Sequence, residues 1–376
     1  MKRRNIYLIA VFLPLLVWSC GGKDNPDLIP PPPTPSGNEQ GGGGSGGDGG
    51  DGGGGGGTNP WDANRGKEVY PSGAEWTSTL IEPGITYYTF SGTDPVTKSP
   101  QRVFVTDVDL SNKDYSFKLA YYVGRSTASA VMKDKKAIVT TNGGYEMPSI
   151  VVKVEPYSSP VALMVDEIIG ATNGKPTGVT NWKNEGCVIL DNDRDIRFDY
   201  TGKDLSYAAQ LEKYKNLVKD TKNRNVLSSA PMLIYDYEPV GETFVNRYPK
   251  KSSNSEDPFV HQSTNTHPRT VIAKNEFNHL LLIVIDGRRS SVSRGMSAKE
   301  VTQFLVKNFN PQYALNLDGG GSSTMCVQGQ GDPSTHVVNY PTDNRTEDKN
   351  GAPKENGVPD HAGERSVPTF FYVVKN

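Results

Sequence analysis

Leu280-Leu281-Leu282-Ile283-Val284-Ile285-Asp286-Gly287-Arg288 and Tyr313-Ala314-Leu315-Asn316-Leu317-Asp318-Gly319-Gly320-Gly321-Ser322-Ser323-Thr324 decide the reading of this chain. The first stretch is a continuous apolar run of strand length, as expected of a strand buried on both faces, and it ends in an acidic turn. The second repeats that form and ends in Asp318 and three glycines. Between them, Ser297-Ala298-Lys299-Glu300 has the spacing of a capping box and leads into Val301, Phe304 and Leu305. That pattern predicts a helix over 298–307. Strand, loop, helix and strand within about 40 residues describe a βαβ unit, whose strands pair in parallel through a right-handed crossover. Parallel pairing puts both strand ends at one sheet edge. Asp286 and Asp318 are therefore expected to share the edge at which open α/β sheets bind ligands.

Working outward, apolar and β-branched segments bounded by turn residues predict strands at Thr86 to Phe90, Arg102 to Val108, Ser116 to Tyr122, Ala137 to Thr141, Val151 to Val154, Cys187 to Leu190 and Met232 to Tyr235. Leu205 to Val218 carries a helical apolar stripe with charges between, a second predicted helix. No internal repeat at a fixed period is evident. The expected fold is α+β: a mixed β-sheet in a single domain over 61–376, with the βαβ unit near its C-terminal end.

The N-terminal part has a different character. Of the 40 glycines in 376 residues, 17 fall between Gly21 and Gly57. Lys2, Arg3 and Arg4 precede an apolar run from Ile6 to Trp18. At about 13 residues that run is too short to span a membrane and reads as a secretory signal over 1–19. Val17-Trp18-Ser19-Cys20 resembles a bacterial lipobox, in which Cys20 would be lipidated; a soluble secreted protein is the alternative. The Pro- and Gly-rich segment 20–60 has almost nothing to bury and is expected to be a flexible tether. Together these features predict a lipid-anchored protein of the bacterial cell envelope, touching the membrane only through its anchor. Cys187 and Cys326 remain, either as a disulfide permitted by export or as buried thiols. The net charge of −2 gives no field to attract nucleic acid, so nucleic-acid binding is excluded as a function class.

Glycines directly after a strand serve where backbone N–H groups approach a ligand closely. Gly319, Gly320 and Gly321, followed by Ser322, Ser323 and Thr324, could form a nest for a phosphate or sulfate. A tight turn is the other reading. The Lys and spacing of a P-loop are missing, and so is the Gly-x-Ser-x-Gly elbow of a serine hydrolase.

Asn316-Leu317-Asp318-Gly319-Gly320-Gly321-Ser322-Ser323-Thr324-Met325 resembles the signature of the phosphodiester glycosidase family. The resemblance continues in chain order from about 137 to 374. Thr141-Asn142-Gly143-Gly144-Tyr145 is similar to the family's Asn-Gly-Gly-aromatic turn. His267-Pro268-Arg269-Thr270 is similar to its Arg-Thr strand start, and Asp286-Gly287-Arg288 with Gly295-Met296-Ser297 to its Asp-Gly-Arg segment. Arg365-Ser366-Val367 fits the approach to the last strand. Glu146 departs from the pattern, standing where a second aromatic is expected; it could reshape the sugar pocket or supply an extra carboxylate.

The resemblance implies hydrolysis of a sugar-1-phosphodiester at the anomeric C–O bond, releasing free sugar and a phosphomonoester. The leaving group is already a stable anion, so anion stabilisation matters more than protonation. On this reading the catalytic candidates are Asp318 first, then Asp286, with Arg269 as a cationic fork and Glu146 as an outside choice. Asn142, Gly143, Gly144, His267, Arg288, Arg365 and the 319–324 loop would bind substrate. No cofactor or catalytic metal is expected, although a structural Ca²⁺ on loop carbonyls would leave no trace in the sequence. A non-catalytic glycan-binding lipoprotein and an ordinary two-carboxylate glycoside hydrolase are the competing functions.

Overall fold

The computed structural model describes residues 60–145, 150–153, 161–164, 185–191, 193–200, 213, 216, 225–243, 264–343 and 360–376. All of them fall within one compact unit, Gly57–Asn376. In chain order the elements are β1 (Trp76–Glu82), β2 (Ile85–Asp94), β3 (Ser99–Asp109), β4 (Tyr115–Ser126), α1 (Ala128–Lys135), β5 (Val139–Asn142), β6 (Ile150–Lys153), β7 (Val161–Met164), β8 (Gly186–Leu190), β9 (Ile196–Tyr200), β10 (Asn225–Ser229), β11 (Met232–Tyr235), β12 (Arg269–Lys274), β13 (His279–Ile285), α2 (Ala298–Asn308), β14 (Tyr313–Asn316), β15 (Met325–Val327) and β16 (Val367–Lys375). The seven strands expected from apolar patterning are all present; β2, β3 and β4 run up to four residues beyond their expected ends, and the others agree within two residues. The signal, Cys20, nearly all of the tether, Glu146 and most of the helix expected over 205–218 lie outside the described residues.

Three sheets form. One has seven strands in the order β1-β2-β3-β13-β12-β14-β11, one has four in the order β15-β5-β16-β4, and one has five in the order β7-β6-β10-β8-β9. Each pairing between these strands is antiparallel. This corrects the expectation of a mixed sheet with a parallel βαβ unit. β13 and β14 do run in the same direction, but β12 lies between them and pairs antiparallel with both. Strand, helix and strand in sequence cannot distinguish neighbours from strands that straddle a third. The consequence for the site is small: two spacings of about 4.8 Å still put the ends of β13 and β14 roughly 10 Å apart at one edge.

Burial explains the layering. Along β13, Leu280, Leu282 and Val284 enter one core, while Leu281, Ile283 and Ile285 enter another. The first core is shared with Phe117, Leu119, Val139, Phe371 and Val373 of the four-stranded sheet, and with Val188, Phe198 and Leu227 of the five-stranded one. The second core is closed by Val301, Phe304 and Leu305 of α2. Each such side chain contributes roughly 1.5–3 kcal/mol by leaving water. Both halves of the capping box at α2 form: Ser297 N–H donates to Glu300 at 2.8 Å, and Glu300 N–H to Ser297 Oγ at 3.3 Å. The outer face of the four-stranded sheet packs Cys326, Phe370 and Tyr372 against Val131 and Met132 of α1. Cys187 and Cys326 are both buried and are not joined in a disulfide. Among the described residues no helix is long and apolar enough to cross a membrane.

Candidate active site

Strand ends assemble the site. Asp286 follows β13, Arg269 opens β12, and Asp318 lies just beyond β14. Leu317 N–H donates to Thr270 O at 2.8 Å, and Asp286 N–H to Arg102 O at 3.0 Å, so pairing continues to the edge where the acidic residues emerge.

Asn142, at the end of β5, joins the four-stranded sheet to the seven-stranded one there. Its Nδ2 donates to Asp318 O at 2.8 Å, while its Oδ1 accepts from Thr270 Oγ1 at 2.8 Å and Thr324 N–H at 3.1 Å. The side chain is 1% exposed. Asn142 therefore sits behind the loop as a brace. Gly143 extends the brace, since its carbonyl accepts from Asp318 N–H at 3.1 Å and its own N–H donates to Thr369 O at 2.7 Å. Gly144 is buried beside it, its carbonyl accepting from Thr369 Oγ1 at 3.5 Å.

The Asp318 loop turns through a short 3-10 segment at Gly320–Ser322. Gly320 has φ +63°, and a Cβ there would lie 3.1 Å from Arg288 Nη2, so both conformation and space favour glycine. Its N–H donates to Pro268 O at 2.9 Å, which removes one donor from the expected nest. Among the described residues no acceptor is bonded to the N–H of Gly319 or Gly321, so two donors remain. Ser322, Ser323 and Thr324 are buried beneath the turn. Within the described residues the Ser323 and Thr324 hydroxyls have no hydrogen-bond partner.

Asp286 is 4% exposed. Its Oδ1 accepts from Asn339 Nδ2 and Tyr340 N–H, both at 3.2 Å. Burial pushes its carboxyl up from 3.8 to about 7, against the pull of those hydrogen bonds and of the nearby Arg102 and Arg289 charges. The same Asn339 amide donates to Ser323 O at 2.9 Å, and its Oδ1 accepts from Met325 N–H at 2.9 Å. One buried side chain thus ties the Asp286 carboxyl to the loop that carries Asp318. Beyond it, the Tyr340 ring lies between the Arg102 guanidinium, 4.6 Å from its centroid, and the His361 ring, also at 4.6 Å. His361 Nδ1 lies 2.8 Å from Asn339 O and must carry the proton there, because a carbonyl only accepts. That leaves Nε2 of the neutral ring as an acceptor.

Three arginines surround the loop in different ways. Arg269 is 2% exposed, and it donates from Nε to Met296 O at 2.8 Å and from Nη2 to Asn265 O at 3.1 Å. Burial lowers its pKa to about 10, so it stays protonated at neutral pH. Tyr145 is buried near it. Burial raises the phenol pKa, with the Arg269 charge lowering it and the Asp318 charge raising it. Arg288 is exposed, with φ +62° and its guanidinium against Gly320. Arg365 makes a bidentate pair with Asp343 at 2.6 and 3.0 Å and reaches Ser322 Oγ at 3.4 Å. A Cβ on Gly321 would lie 2.1 Å from Asp343 Oδ1, so the pair rests directly on the loop. His267 is half-buried and pairs with Met296 through backbone bonds at 3.1 and 3.3 Å.

The edge thus gathers the two aspartates, the glycine loop and the three arginines, with Asn142 and Gly143 behind. Asn339, Tyr340, His361, Asp343 and Arg102 join the neighbourhood without having been expected. Arg102 opened a predicted strand, but the others sit in segments with neither apolar period nor motif. Among the described residues no group of three or more His, Cys, Asp or Glu side chains is placed to hold a metal ion.

Comparisons with known proteins identify the family and the fold. The family model described as phosphodiester glycosidase matches residues 135–374. No curated protein matches the chain. Among solved structures, a protein from Burkholderia pseudomallei is similar at 11% identity with a TM-score of 0.50, covering 82% of this chain and 99% of that one. That likeness is one of fold. The zebrafish N-acetylglucosamine-1-phosphodiester alpha-N-acetylglucosaminidase catalytic domain, auto-inhibited by its pro-peptide, is similar at 17% identity with a TM-score of 0.49. The match covers 82% of this chain and 87% of the zebrafish one.

Proposed function

This chain belongs to the phosphodiester glycosidase family, and from that premise we propose that it is an envelope hydrolase cleaving a sugar-1-phosphodiester into free sugar and a phosphomonoester. The observation that carries the reading is the shared edge: Asp286 and Asp318 end two co-directional strands there, and the Arg288 guanidinium lies against the glycine loop. The diester anion would rest on Arg288 and on the N–H groups of Gly319 and Gly321. Asp318 would take a proton from water as its oxygen bonds to the anomeric carbon; the glycosidic C–O electron pair leaves with the phosphate oxygen. Asp286, close to half-protonated at neutral pH, would supply a proton to that oxygen. Arg269 would act from behind as a buried charge that fixes the edge. Asn142 would position the Asp318 backbone.

The deciding experiment is a screen of the full chain against sugar-1-phosphodiesters and matched plain glycosides, each with and without EDTA. Turnover of the phosphodiesters alone, unchanged by EDTA, is the expected result. Turnover of plain glycosides would instead support the two-carboxylate glycoside hydrolase, for which a buried acid such as Asp286 is suited. Binding of every sugar with turnover of none would make the protein a glycan-binding lipoprotein. Loss of activity in EDTA, restored by Ca²⁺ or Mg²⁺, would replace the metal-free mechanism.

The proposed location rests on the N-terminal sequence: a basic start, a short apolar run, Cys20 and a tether of Pro and Gly. Cys20→Ser is expected to move the protein from the detergent-extractable membrane fraction to the soluble one. An unchanged membrane fraction would show that the anchor is not this cysteine.

A further inference from the structure

A cavity of about 370 Å³ lies between α1 with the two residues after it and the segment that follows β15. Such a volume falls in the lower range of small-molecule sites, about 300–1,000 Å³. Met132 and Ala137 contribute apolar surface to it, and Lys133, Lys136, Gln328 and His336 supply polar groups. It is separate from the candidate active site. β5 starts just after Ala137 and ends at Asn142, and β15 runs from beside Thr324 to just before Gln328. The cavity and the Asp318 loop therefore lie at opposite ends of one strand pair, roughly 10–13 Å of extended chain apart.

The polar groups of this cavity are mostly donors. Among the described residues neither Lys133 nor Lys136 has a carboxylate partner, and the Gln328 amide is not engaged. His336 Nδ1 accepts from Gly329 N–H at 3.2 Å, so the neutral ring carries its proton on Nε2 as a further donor. Two neighbouring acids are already served: Asp332 Oδ1 accepts from the hydroxyls of Ser334 at 2.6 Å and Thr335 at 3.1 Å, and Glu364 accepts from the Ser129 N–H at 3.0 Å and from its hydroxyl. The Ser334 and Thr335 hydroxyls keep lone pairs that can accept. Lys136 and His336 both hold left-handed backbones, at φ 53° and 59°. His336 is fixed there by Val327 N–H donating to its carbonyl at 2.9 Å and its own N–H donating to Asp332 O at 2.8 Å.

We propose that this cavity is a second, non-catalytic binding site for an anionic saccharide. Two ammonium groups and an imidazole N–H would meet a phosphate, sulfate or carboxylate group, while Met132 and Ala137 would meet the C–H face of a sugar ring. An amide and two hydroxyls complete a set suited to ring hydroxyls. Occupation of such a site would tether a charged glycan close to the catalytic edge and raise its local concentration there. The site does not depend on the reaction proposed above.

The test titrates the full chain with glucose 6-phosphate, glucose and inorganic phosphate, following the His336 ring proton by NMR, assigned with His336→Gln. The comparison protein carries Lys133→Gln and Lys136→Asn; asparagine tolerates the left-handed backbone at 136. Glucose 6-phosphate is expected to shift the His336 signal saturably, with at least tenfold weaker binding in the double variant and an unchanged kcat at saturating diester. No saturable shift, or equal affinity in the double variant, would overturn the site. Inorganic phosphate binding as tightly as glucose 6-phosphate would overturn its assignment to a saccharide. Turnover recorded on the same samples tests the catalytic reading separately.

Discussion

Replacing Asp318 by Asn is expected to lower kcat by about three orders of magnitude, with KM and Tm close to wild-type values. The two side chains are nearly isosteric, and two of the bonds that hold position 318 are made by its backbone. Asn142 binds its carbonyl and Gly143 accepts from its N–H, so neither contact changes with the side chain. An amide cannot take the proton from attacking water or form a covalent intermediate, and that interaction belongs to the transition state. Arg288→Ala should behave differently. Its guanidinium would contact the phosphate before and during bond cleavage, so KM should rise along with the loss in kcat. Steady-state kinetics on a sugar-1-phosphodiester, with a thermal melt of each variant, separates these outcomes. Near-normal turnover in a folded Asp318→Asn protein would transfer the role to Asp286.

The sheet edge was legible in the sequence because its cause is local. A strand buried on both faces must be apolar throughout, so the runs ending at Ile285 and Leu317 announce where each strand stops and which acid follows. The helix between them was legible for the same reason, since a capping box and an apolar stripe are properties of adjacent residues. What lies between β13 and β14 was not legible. β12 reaches its place through pairings with two partners, and a short strand opening in Pro268 and Arg269 gives no sign of which neighbours it takes. The same limit applies to the site. Asn142 before two glycines reads equally as a turn or a ligand contact. Its role as a brace exists only because Thr270, Asp318 and Thr324 arrive from elsewhere in the chain. Asn339 sits 53 residues from Asp286, in a segment without period or motif, and matters because the carboxyl it contacts is buried. A charge at the end of an apolar strand needs polar partners once it is covered. The need for such a residue can be inferred from the sequence, but its position cannot.

That burial gives Asp286 a separately measurable signature in stability. The folded protein holds its carboxyl near 7, above an ordinary value of 3.8. A raised folded pKa means that the native state binds the proton more tightly, so this contribution is fully present below about pH 4. It is lost progressively as pH rises through about 7. Three pKa units correspond to about 4 kcal/mol, an upper bound for a single buried carboxyl in a site able to relax. Asp286→Asn replaces the titrating group by a permanently neutral one whose amide oxygen can still accept from Asn339 and Tyr340. In urea titrations the variant and wild type are expected to be similar near pH 4. At pH 8 the variant should be the more stable by up to about 4 kcal/mol. Its catalytic cost should be the reverse. If Asp286 donates the proton to the departing phosphate oxygen, wild-type kcat falls as pH rises through about 7, and the variant loses that limb together with about a hundredfold in rate. The loss should be smaller than for Asp318→Asn, because a phosphomonoester leaves as a stable anion and needs less help from an acid. Parallel stability curves for the two proteins between pH 4 and 8 would show that Asp286 is ionised in the fold. The acid role would then have to pass to another group.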